Sequence, residues 1–244
     1  MRLAAASLVA LALAGCGGED TGHVGATIDR ADAGHARYEG GVSADGAFLA
    51  PEGYGLPWPP SVRIQLTQDC NDSCCTDHIG NDTYALDFAN GRSFPIRAAR
   101  GGTITHLKAS STSGCGTSAC VDQANLIVVD HGDGTESVYL HVAAGSLAPG
   151  VTCGAIVARG QLLAMSGNTG WSTGTHLHFQ VNPVHGGAPT CECGADGTAC
   201  APSTTPWGDF WPNMNAPALP IAFDEWPSAS DCSNRRMTMP TSQD

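Results

Sequence analysis

Two histidines separated by one leucine are the residues of this 244-residue chain with the clearest capacity for chemistry. His176 and His178 follow the glycine-rich residues 167–174 and lie in a run of aliphatic and aromatic residues, 176–181, that predicts a β-strand. Side chains two positions apart on a strand project to the same face, about 7 Å apart. One imidazole can therefore bind a metal ion while the other reaches a water molecule on that ion.

A metal ion held by His178 needs further ligands, and catalytic zinc typically takes three from the protein. Asp87 lies in the apolar run 84–88, where a carboxylate is costly to bury unless it pairs with a cation. His78 precedes Asp87 across the polar loop 80–83, which could fold both groups to one point. Asp87 and His78 are therefore the best candidates for the remaining ligands.

A further histidine, His141, closes the predicted strand 137–141. That strand could cross a sheet to bring His141 face to face with His176. Two imidazoles beside an activated water can take its proton or donate to an oxyanion near neutral pH, where imidazole titrates.

The segments that must position these side chains have the pattern of short strands. Residues 62–66 alternate strictly, and comparable runs bounded by turn residues occupy residues 103–107, 125–129, 137–141 and 176–181. No segment shows an amphipathic helical period over about ten residues. From residue 61 onward the chain is therefore predicted to be mainly antiparallel β.

The N-terminus has the pattern of an export signal. Met1-Arg2 precedes the apolar residues 3–14, a run shorter than the ~20 residues of a membrane-spanning helix. The run ends in Leu13-Ala14-Gly15-Cys16, which resembles the bacterial lipobox, whose cysteine is lipidated and becomes the mature N-terminus. We expect residues 1–15 to be a lipoprotein signal peptide and Cys16 to anchor the protein in the bacterial cell envelope. The alternative is an ordinary signal peptide with a chance cysteine.

The composition divides the remainder into three parts. Residues 16–60 are rich in Gly, Ala and Asp and end in prolines, which predicts a flexible tether because little apolar surface can be buried. Residues 61–185 form the predicted β domain. Residues 186–244 form a Cys-, Trp- and Pro-rich extension with a candidate closing strand at 219–223, since proline is tolerated at sheet edges.

The cysteine content indicates how the protein is cross-linked, and the net charge argues against one class of partner. Ten cysteines remain after Cys16, an even number that predicts up to five disulfides in an exported protein without fixing their pairing. A tetrathiolate zinc site is the alternative, although Cys74-Cys75 and the pair Cys191 and Cys193 lack its usual spacing. The formal net charge of −12 and the lack of a Lys/Arg cluster argue against a nucleic-acid partner.

Three blocks of sequence, residues 94–103, 128–141 and 167–179, occur in the order typical of the M23 peptidases. Over residues 61–181 the chain resembles the lysostaphin or LytM type of peptidoglycan endopeptidase. The resemblance implies a disulfide-rich variant of the family's antiparallel β-sheet groove, the duplicated hybrid motif.

The resemblance also implies the site and its activity. One Zn²⁺ would be held by His78, Asp87 and His178, and His141 and His176 would be catalytic. The implied reaction is hydrolysis of peptide bonds in peptidoglycan cross-links, stem peptides or glycine-containing peptides by water that the zinc activates.

One departure concerns the first ligand. The common family pattern has three residues between the first His and the Asp, a place that Thr83 occupies here, whereas eight residues separate His78 from Asp87. The β-lytic branch has a similarly long interval, so His78 remains the choice. Asp77 and Asp82 are the alternatives.

Residues outside the metal site are expected to support the fold or to shape the substrate groove. His131 matches a family position outside the metal site and is expected to be structural. Substrate choice is expected to depend on loops, with groove walls formed by the 115–120 insertion and by Trp207, Phe210 and Trp211, unless these aromatics are packed in a core.

Two other functions are alternatives to a monomeric enzyme. Some M23 relatives lose metal ligands and act as non-catalytic regulators or binding proteins of cell-wall hydrolases, but here every ligand position has a candidate residue. A structural surface lipoprotein would explain the cysteines and the anchor but not the three ordered blocks.

Overall fold

The computed structural model describes residues 28–30, 36–38, 53–69, 78, 82–184, 190–192 and 218–230. The strands are β1 (Ile28–Arg30), β2 (Ala36–Tyr38), β3 (Gln65–Gln68), β4 (Leu86–Ala89), β5 (Pro95–Arg97), β6 (Gly102–Lys108), β7 (Gly114–Cys115), β8 (Leu126–Asp130), β9 (Thr135–Leu140), β10 (Ile156–Val157), β11 (Leu162–Met165), β12 (Gly170–Trp171), β13 (Leu177–Pro183) and β14 (Thr190–Glu192). Short 3-10 helical segments span Ser118–Gln123 and Pro227–Ser230. Within these ranges, no helix has the length and apolar character needed to cross a membrane.

Eight strands form the central sheet, which has the order β10-β6-β8-β9-β13-β4-β3 with β14 paired to β6. The pairs along this path are antiparallel, and β14 runs parallel to β6. The prediction of a mainly antiparallel β fold is therefore confirmed. The strand predicted at residues 62–66 is displaced, because the observed β3 spans Gln65–Gln68.

The hairpin of β8 and β9 shows how turn chemistry sets the strand register. Gly132 and Gly134 adopt positive φ, and the Asp130 carboxylate accepts a hydrogen bond from the Gly132 amide at 2.7 Å. The resulting register places Leu126 opposite Leu140. The end of β9, and with it His141, is thereby fixed beside the central strands.

The two faces of the central sheet have different roles. Main-core residues such as Leu86, Phe88 and Phe179 alternate along β4 and β13 with residues of the opposite face, where Leu126, Val128, Val138 and Leu140 form a smaller cluster. Asp87 and His178 are out of step with the main-core residues and so lie on that opposite face. The alternation therefore brings the two predicted ligands to one side of the sheet.

Segments on both sides of the predicted domain pack into its main core. Tyr54 and Trp58 are buried, and the Tyr54 hydroxyl lies 2.9 Å from Thr135 Oγ1. Residues 53–60 therefore belong to the folded domain, and the tether boundary predicted at residue 60 is wrong. The Gly- and Pro-rich composition of this stretch predicts flexibility, but its two aromatic side chains can bury large apolar areas.

The C-terminal segment also belongs to this core, so the boundary predicted at residue 185 is too early. Phe223 and Trp226 are buried, and their rings stack with centroids 6.1 Å apart. Residues 219–223 do not form the expected closing strand, because Phe223 makes only isolated bridges, to Tyr54 and Trp226. The Leu219 amide nevertheless donates to the Val181 carbonyl at 2.7 Å, which ties the segment to β13.

The three cysteines whose side chains the structure describes are disulfide-bonded. Cys115 and Cys120 are joined to each other, and Cys153 is also disulfide-bonded. The remaining predicted bridges involve cysteine side chains outside the described ones and stay predictions.

His131 supports the β8–β9 turn from the main-core side. Its Nδ1 donates to the Gly101 carbonyl at 2.9 Å, and its ring packs edge-on against Tyr54 with centroids 5.2 Å apart. Its Nε2 is buried without a hydrogen-bond partner. Burial, aided by the charge of Arg100, lowers the pKa of His131 to about 4, although the Gly101 hydrogen bond and nearby aspartates oppose this shift. These contacts agree with the structural role expected of His131.

We expect this neutral histidine to make the fold acid-sensitive. The contribution of His131 to the free energy of unfolding is fully present above pH 6.5. It is lost as the pH falls toward about 4, because between these values the unfolded chain takes up a proton on His131 and the folded chain does not. His131→Asn keeps an amide donor for Gly101 but cannot titrate. It should reduce the slope of unfolding free energy against pH by up to about 1.4 kcal/mol per pH unit.

Urea denaturation at several pH values across this window measures that slope. His35→Asn, in the predicted tether, is the matched control and should leave the slope unchanged. An unaltered slope in His131→Asn would contradict the assignment.

Candidate metal centre and active site

Asp87 and His178 lie opposite each other on the paired strands β4 and β13. Asp87 Oδ1 is 3.0 Å from His178 Nδ1 and 3.4 Å from His78 Nε2. The ligand atoms of His78, Asp87 and His178 all lie within 4.8 Å of one another, so the three residues could hold a metal ion. They are the three ligands that the sequence predicts.

The chemistry of these atoms fits a cation. Asp87 Oδ1 is buried and has no hydrogen-bond partner, although two imidazole nitrogens approach it within 3.4 Å. An unpartnered carboxylate oxygen in a buried position is costly. Close approach without hydrogen-bond alignment is the arrangement expected of atoms that share one ion. Two histidines and one carboxylate form a catalytic zinc donor set that keeps a position for water.

The electrostatics of Asp87 favour its anionic form. Burial alone would raise the pKa of this carboxyl group. Interactions with His176, His178 and His78 outweigh burial and hold the pKa of Asp87 well below its usual value. The site therefore presents a buried negative charge, which a metal cation would neutralise.

The ring of His78 is oriented by its own local backbone. His78 Nδ1 donates to the Ala85 carbonyl at 3.0 Å, which leaves Nε2 directed toward Asp87. The Ala85 amide in turn donates to the Asp82 carbonyl at 2.8 Å, so a turn shortens the long interval before Asp87. Asp82 does not belong to the group of ligand atoms. The other alternative, Asp77, lies outside the described residues.

A hydrogen-bonded row on β13 fixes the tautomer of His178. His178 Nε2 donates to Gln180 Oε1 at 2.7 Å, and Gln180 Nε2 donates to Asn182 Oδ1 at 2.9 Å. A proton held at Nε2 leaves the Nδ1 lone pair available for a metal ion. Gln180 and Asn182 are not among the residues predicted from the sequence. Their signal is nevertheless there, since polar residues two apart continue the face of His178 along an otherwise apolar strand.

Gln180→Leu should weaken zinc affinity about 10–100-fold, because His178 loses the acceptor that holds its Nε2 proton. Gln180→Glu is the matched control, since it keeps an acceptor oxygen, and should retain most of the affinity. Competition for zinc with a chromophoric chelator measures the difference. Wild-type affinity in folded Gln180→Leu would show that the row does not tune His178.

His141 comes from the end of β9 and faces His176. Their ring centroids are 4.4 Å apart, and that of His141 lies 6.1 Å from that of His178. Among the described residues, His141 is the one non-glycine residue with positive φ, at 64°. Such a conformation is strained for histidine and is retained where the surrounding contacts require it.

Both of these imidazoles hold a proton against a backbone carbonyl. His141 Nδ1 donates to the Thr169 carbonyl at 2.7 Å, and His176 Nδ1 donates to the Gly174 carbonyl at 2.8 Å. His176 Nε2 lies 3.3 Å from Asp87 Oδ2, next to the candidate metal site. The Nε2 atoms are therefore the ones left for chemistry.

The environments of the two histidines separate their pKa values. Burial, followed by the charges of His176 and His178, lowers the pKa of His141 to about 3. Burial also acts to lower the pKa of His176, but Asp87 outweighs it and the net shift is upward. Pairs of titratable groups whose pKa values are pushed apart are typical of acid–base sites.

The aromatic residues predicted to form groove walls, Trp207, Phe210 and Trp211, lie outside the described residues. Trp171, which is not among the residues predicted from the sequence, is an exposed aromatic on β12 with 54% of its surface accessible. His176 precedes β13 rather than lying within it, since the strand begins at Leu177.

A buried carboxylate between two imidazoles, with a further imidazole pair alongside, is a site typical of metal-dependent hydrolases. Residues 81–190 match the sequence model of Peptidase family M23. The resemblance seen in the sequence is confirmed.

Two curated proteins and one solved structure are similar to part of this chain. DD-carboxypeptidase/endopeptidase Mpg of Neisseria meningitidis is 32% identical over 114 residues, which cover 44% of this chain and 23% of that protein. An uncharacterized metalloprotease of Haemophilus influenzae is 31% identical over 106 residues, 41% of this chain and 20% of the relative. The chain thus spans less than a quarter of the length of these curated relatives. A zinc-containing peptidase from Vibrio cholerae aligns with 58% of this chain and 40% of its own at 24% identity, with a TM-score of 0.39.

Proposed function

We propose that this protein is a zinc-dependent endopeptidase that hydrolyses peptide bonds in peptidoglycan cross-links or stem peptides. The observation that carries the proposal is the unpartnered, buried Asp87 Oδ1 on which His78 and His178 converge. The M23 match supports a peptidase, and the name of the Neisseria relative, a DD-carboxypeptidase/endopeptidase, supports a cell-wall peptide as substrate.

We propose a separate task for each histidine, which the hydrogen bonds of the site support. When held by His78, Asp87 and His178, a zinc ion supplies a Lewis acid that polarises a carbonyl and makes water more acidic. His141 keeps its proton at Nδ1, which leaves the Nε2 lone pair to orient the attacking water and to accept its proton. His176 can carry a proton at Nε2 and donate it to the developing oxyanion or to the leaving amine.

The proposal is tested with the full chain produced under oxidising conditions. Elemental analysis should find about one zinc per chain, in line with a single catalytic site. Purified peptidoglycan digested with the protein should release new amino termini, detected by mass spectrometry, and a chelator should stop the release until zinc is restored. A folded protein that takes up no zinc and leaves peptidoglycan intact would overturn the proposal and favour a non-catalytic regulator.

We propose also that the protein is exported and anchored by lipid on Cys16. The apolar run before Leu13-Ala14-Gly15-Cys16 supports this, although these residues lie outside the described ones. In bacterial cells, labelled fatty acid should enter the wild-type protein and the protein should sediment with membranes. Cys16→Ala should lose both properties. An unlabelled wild-type protein released in soluble form would favour the ordinary signal peptide.

A further inference from the structure

We propose that the loop between β6 and β8, residues 109–125, positions both catalytic histidines, and that Asn125 is its main positioning residue. We call this segment the disulfide loop because Cys115 and Cys120 close it. The inference rests on the proposed function, since it concerns the imidazoles of His141 and His176.

Both imidazoles depend on one short stretch of backbone. The carbonyls that accept their Nδ1 protons belong to Thr169 and Gly174. Both lie in residues 167–175, the support loop, which connects β11 to β13. Whatever fixes the support loop therefore fixes the direction in which each Nε2 points.

Asn125 connects the disulfide loop to the surroundings of His141. The Asn125 amide donates to Thr169 Oγ1 at 3.0 Å, and its side-chain Nδ2 donates to the Val142 carbonyl at 3.1 Å. Thr169 Oγ1 donates to that same Val142 carbonyl at 3.1 Å. Asn125 therefore secures both the acceptor of the His141 proton and the residue that follows His141. This accounts for how the positive φ of His141 is retained.

Asn125 is fully buried and also holds its own loop in place. Its Oδ1 accepts from the Ser111 amide at 2.9 Å, and its Nδ2 donates to the Ser111 carbonyl at 2.8 Å. A satisfied buried amide of this kind fixes a unique local geometry. The start and the end of the disulfide loop are thus joined at Asn125.

The tip of the disulfide loop reaches His176 by a second route. β7 pairs in parallel with β12, and the Ser172 amide donates to the Cys115 carbonyl at 3.0 Å. The Ser172 hydroxyl lies 2.8 Å from the Gly174 carbonyl and 3.2 Å from His176 Nδ1. Ser172 is buried, so the cysteine bridge acts on the His176 support through one residue.

The disulfide loop and the support loop also touch without intervening side chains. A Cβ placed on Gly114 would lie 2.2 Å from the Asn168 carbonyl oxygen. A Cβ on Gly170, which has φ +81°, would lie 2.6 Å from the backbone Cα of Ala124. Because backbone packs on backbone, the support loop cannot keep its position when the disulfide loop moves.

The metal ligands do not depend on this contact. Asp87 and His178 lie on β4 and β13, and none of the three candidate ligands belongs to the disulfide loop. Loosening the disulfide loop should therefore slow turnover and leave zinc binding intact. A purely structural role would instead change overall stability and zinc content together.

The test compares Asn125→Ala and the double variant Cys115→Ala/Cys120→Ala with the full wild-type chain. Zinc content, kcat and KM for a purified cross-linked peptidoglycan fragment, and ¹⁵N-histidine NMR signals of the Nδ1–H groups of His141 and His176 are measured. Ser118→Ala, an exposed position in the same loop, is the matched control.

We expect kcat to fall about 100-fold in Asn125→Ala and about 10-fold in the cysteine variant, because small displacements of catalytic groups are costly. Zinc content should stay at the wild-type value, and the His141 signal should shift or broaden in Asn125→Ala. The His176 signal should respond most in the cysteine variant, and Ser118→Ala should match wild type.

Two folded variants with wild-type kcat and unmoved histidine signals would overturn the inference. If Asn125→Ala does not fold, the cysteine variant decides. If the wild-type chain cleaves no peptide bond while the histidine signals still respond, the proposed function fails and the positioning role stands.

Discussion

His178→Ala should lose zinc binding and lower kcat/KM for peptidoglycan cleavage by about 10³-fold or more, because the ion contributes several kcal/mol of transition-state stabilisation. In the wild-type protein His178 Nδ1 is the ring atom available to a metal ion, because it lies 3.0 Å from Asp87 Oδ1 while Nε2 donates its proton to Gln180. Alanine offers no ligand atom in its place. The variant also removes an imidazole that lowers the pKa of Asp87.

Elemental analysis and the release of new amino termini from peptidoglycan measure both effects. His131→Asn is the control, since that histidine bonds Gly101 and is not one of the ligand residues. Its zinc content and activity should match wild type at neutral pH. Retention of one zinc by folded His178→Ala would mean that the metal site lies elsewhere.

His141→Asn should lower kcat about 10²–10⁴-fold while zinc binding is kept, the range typical for loss of one acid–base group. Asparagine is among the residues that accept the left-handed conformation, here φ 64°, and its amide can still donate to the Thr169 carbonyl. The variant therefore preserves the backbone and the hydrogen bond while it removes Nε2. His141→Ala, which removes both, gives the comparison.

Steady-state kinetics on a purified cross-linked fragment, together with zinc analysis, separates binding from turnover. If His141→Asn retained wild-type kcat, the Nε2 atom would have no part in the reaction. If zinc were lost with activity, His141 would have to be placed among the metal-supporting residues.

The parts of the site that sequence could predict are those governed by strand alternation. His176, His178 and Asp87 stand out because polar residues recur at one face of otherwise apolar runs, and the structure brings them together. His78 does not follow from strand alternation: the polar loop 80–83 and the family resemblance point to it, since a turn through Ala85 rather than a regular period carries it to Asp87.

The residues that hold the site in place could not be found by periodicity. Asn125 and Ser172 act through hydrogen bonds to residues distant in sequence, such as Thr169 and Cys115, and no local pattern encodes those partners. The prediction of a tether at residues 53–60 fails for the same reason. Their composition predicts flexibility, and only the tertiary contacts of Tyr54 and Trp58 show burial.

The bridge between Tyr54 and Phe223 joins the segments that precede and follow the stretch matched by the family model. Arg159 Nη1 reinforces it by pairing with Asp224, and the Leu56 amide donates to Glu225 at 3.0 Å. The two ends of the folding unit are thus clasped to each other, outside the 81–190 stretch that carries the family signature. A fragment cut to that signature would lack Tyr54, Trp58, Phe223 and Trp226 and would expose the apolar surface that they cover. The stretch recognised by sequence comparison is therefore shorter than the stretch of chain that builds the hydrophobic core.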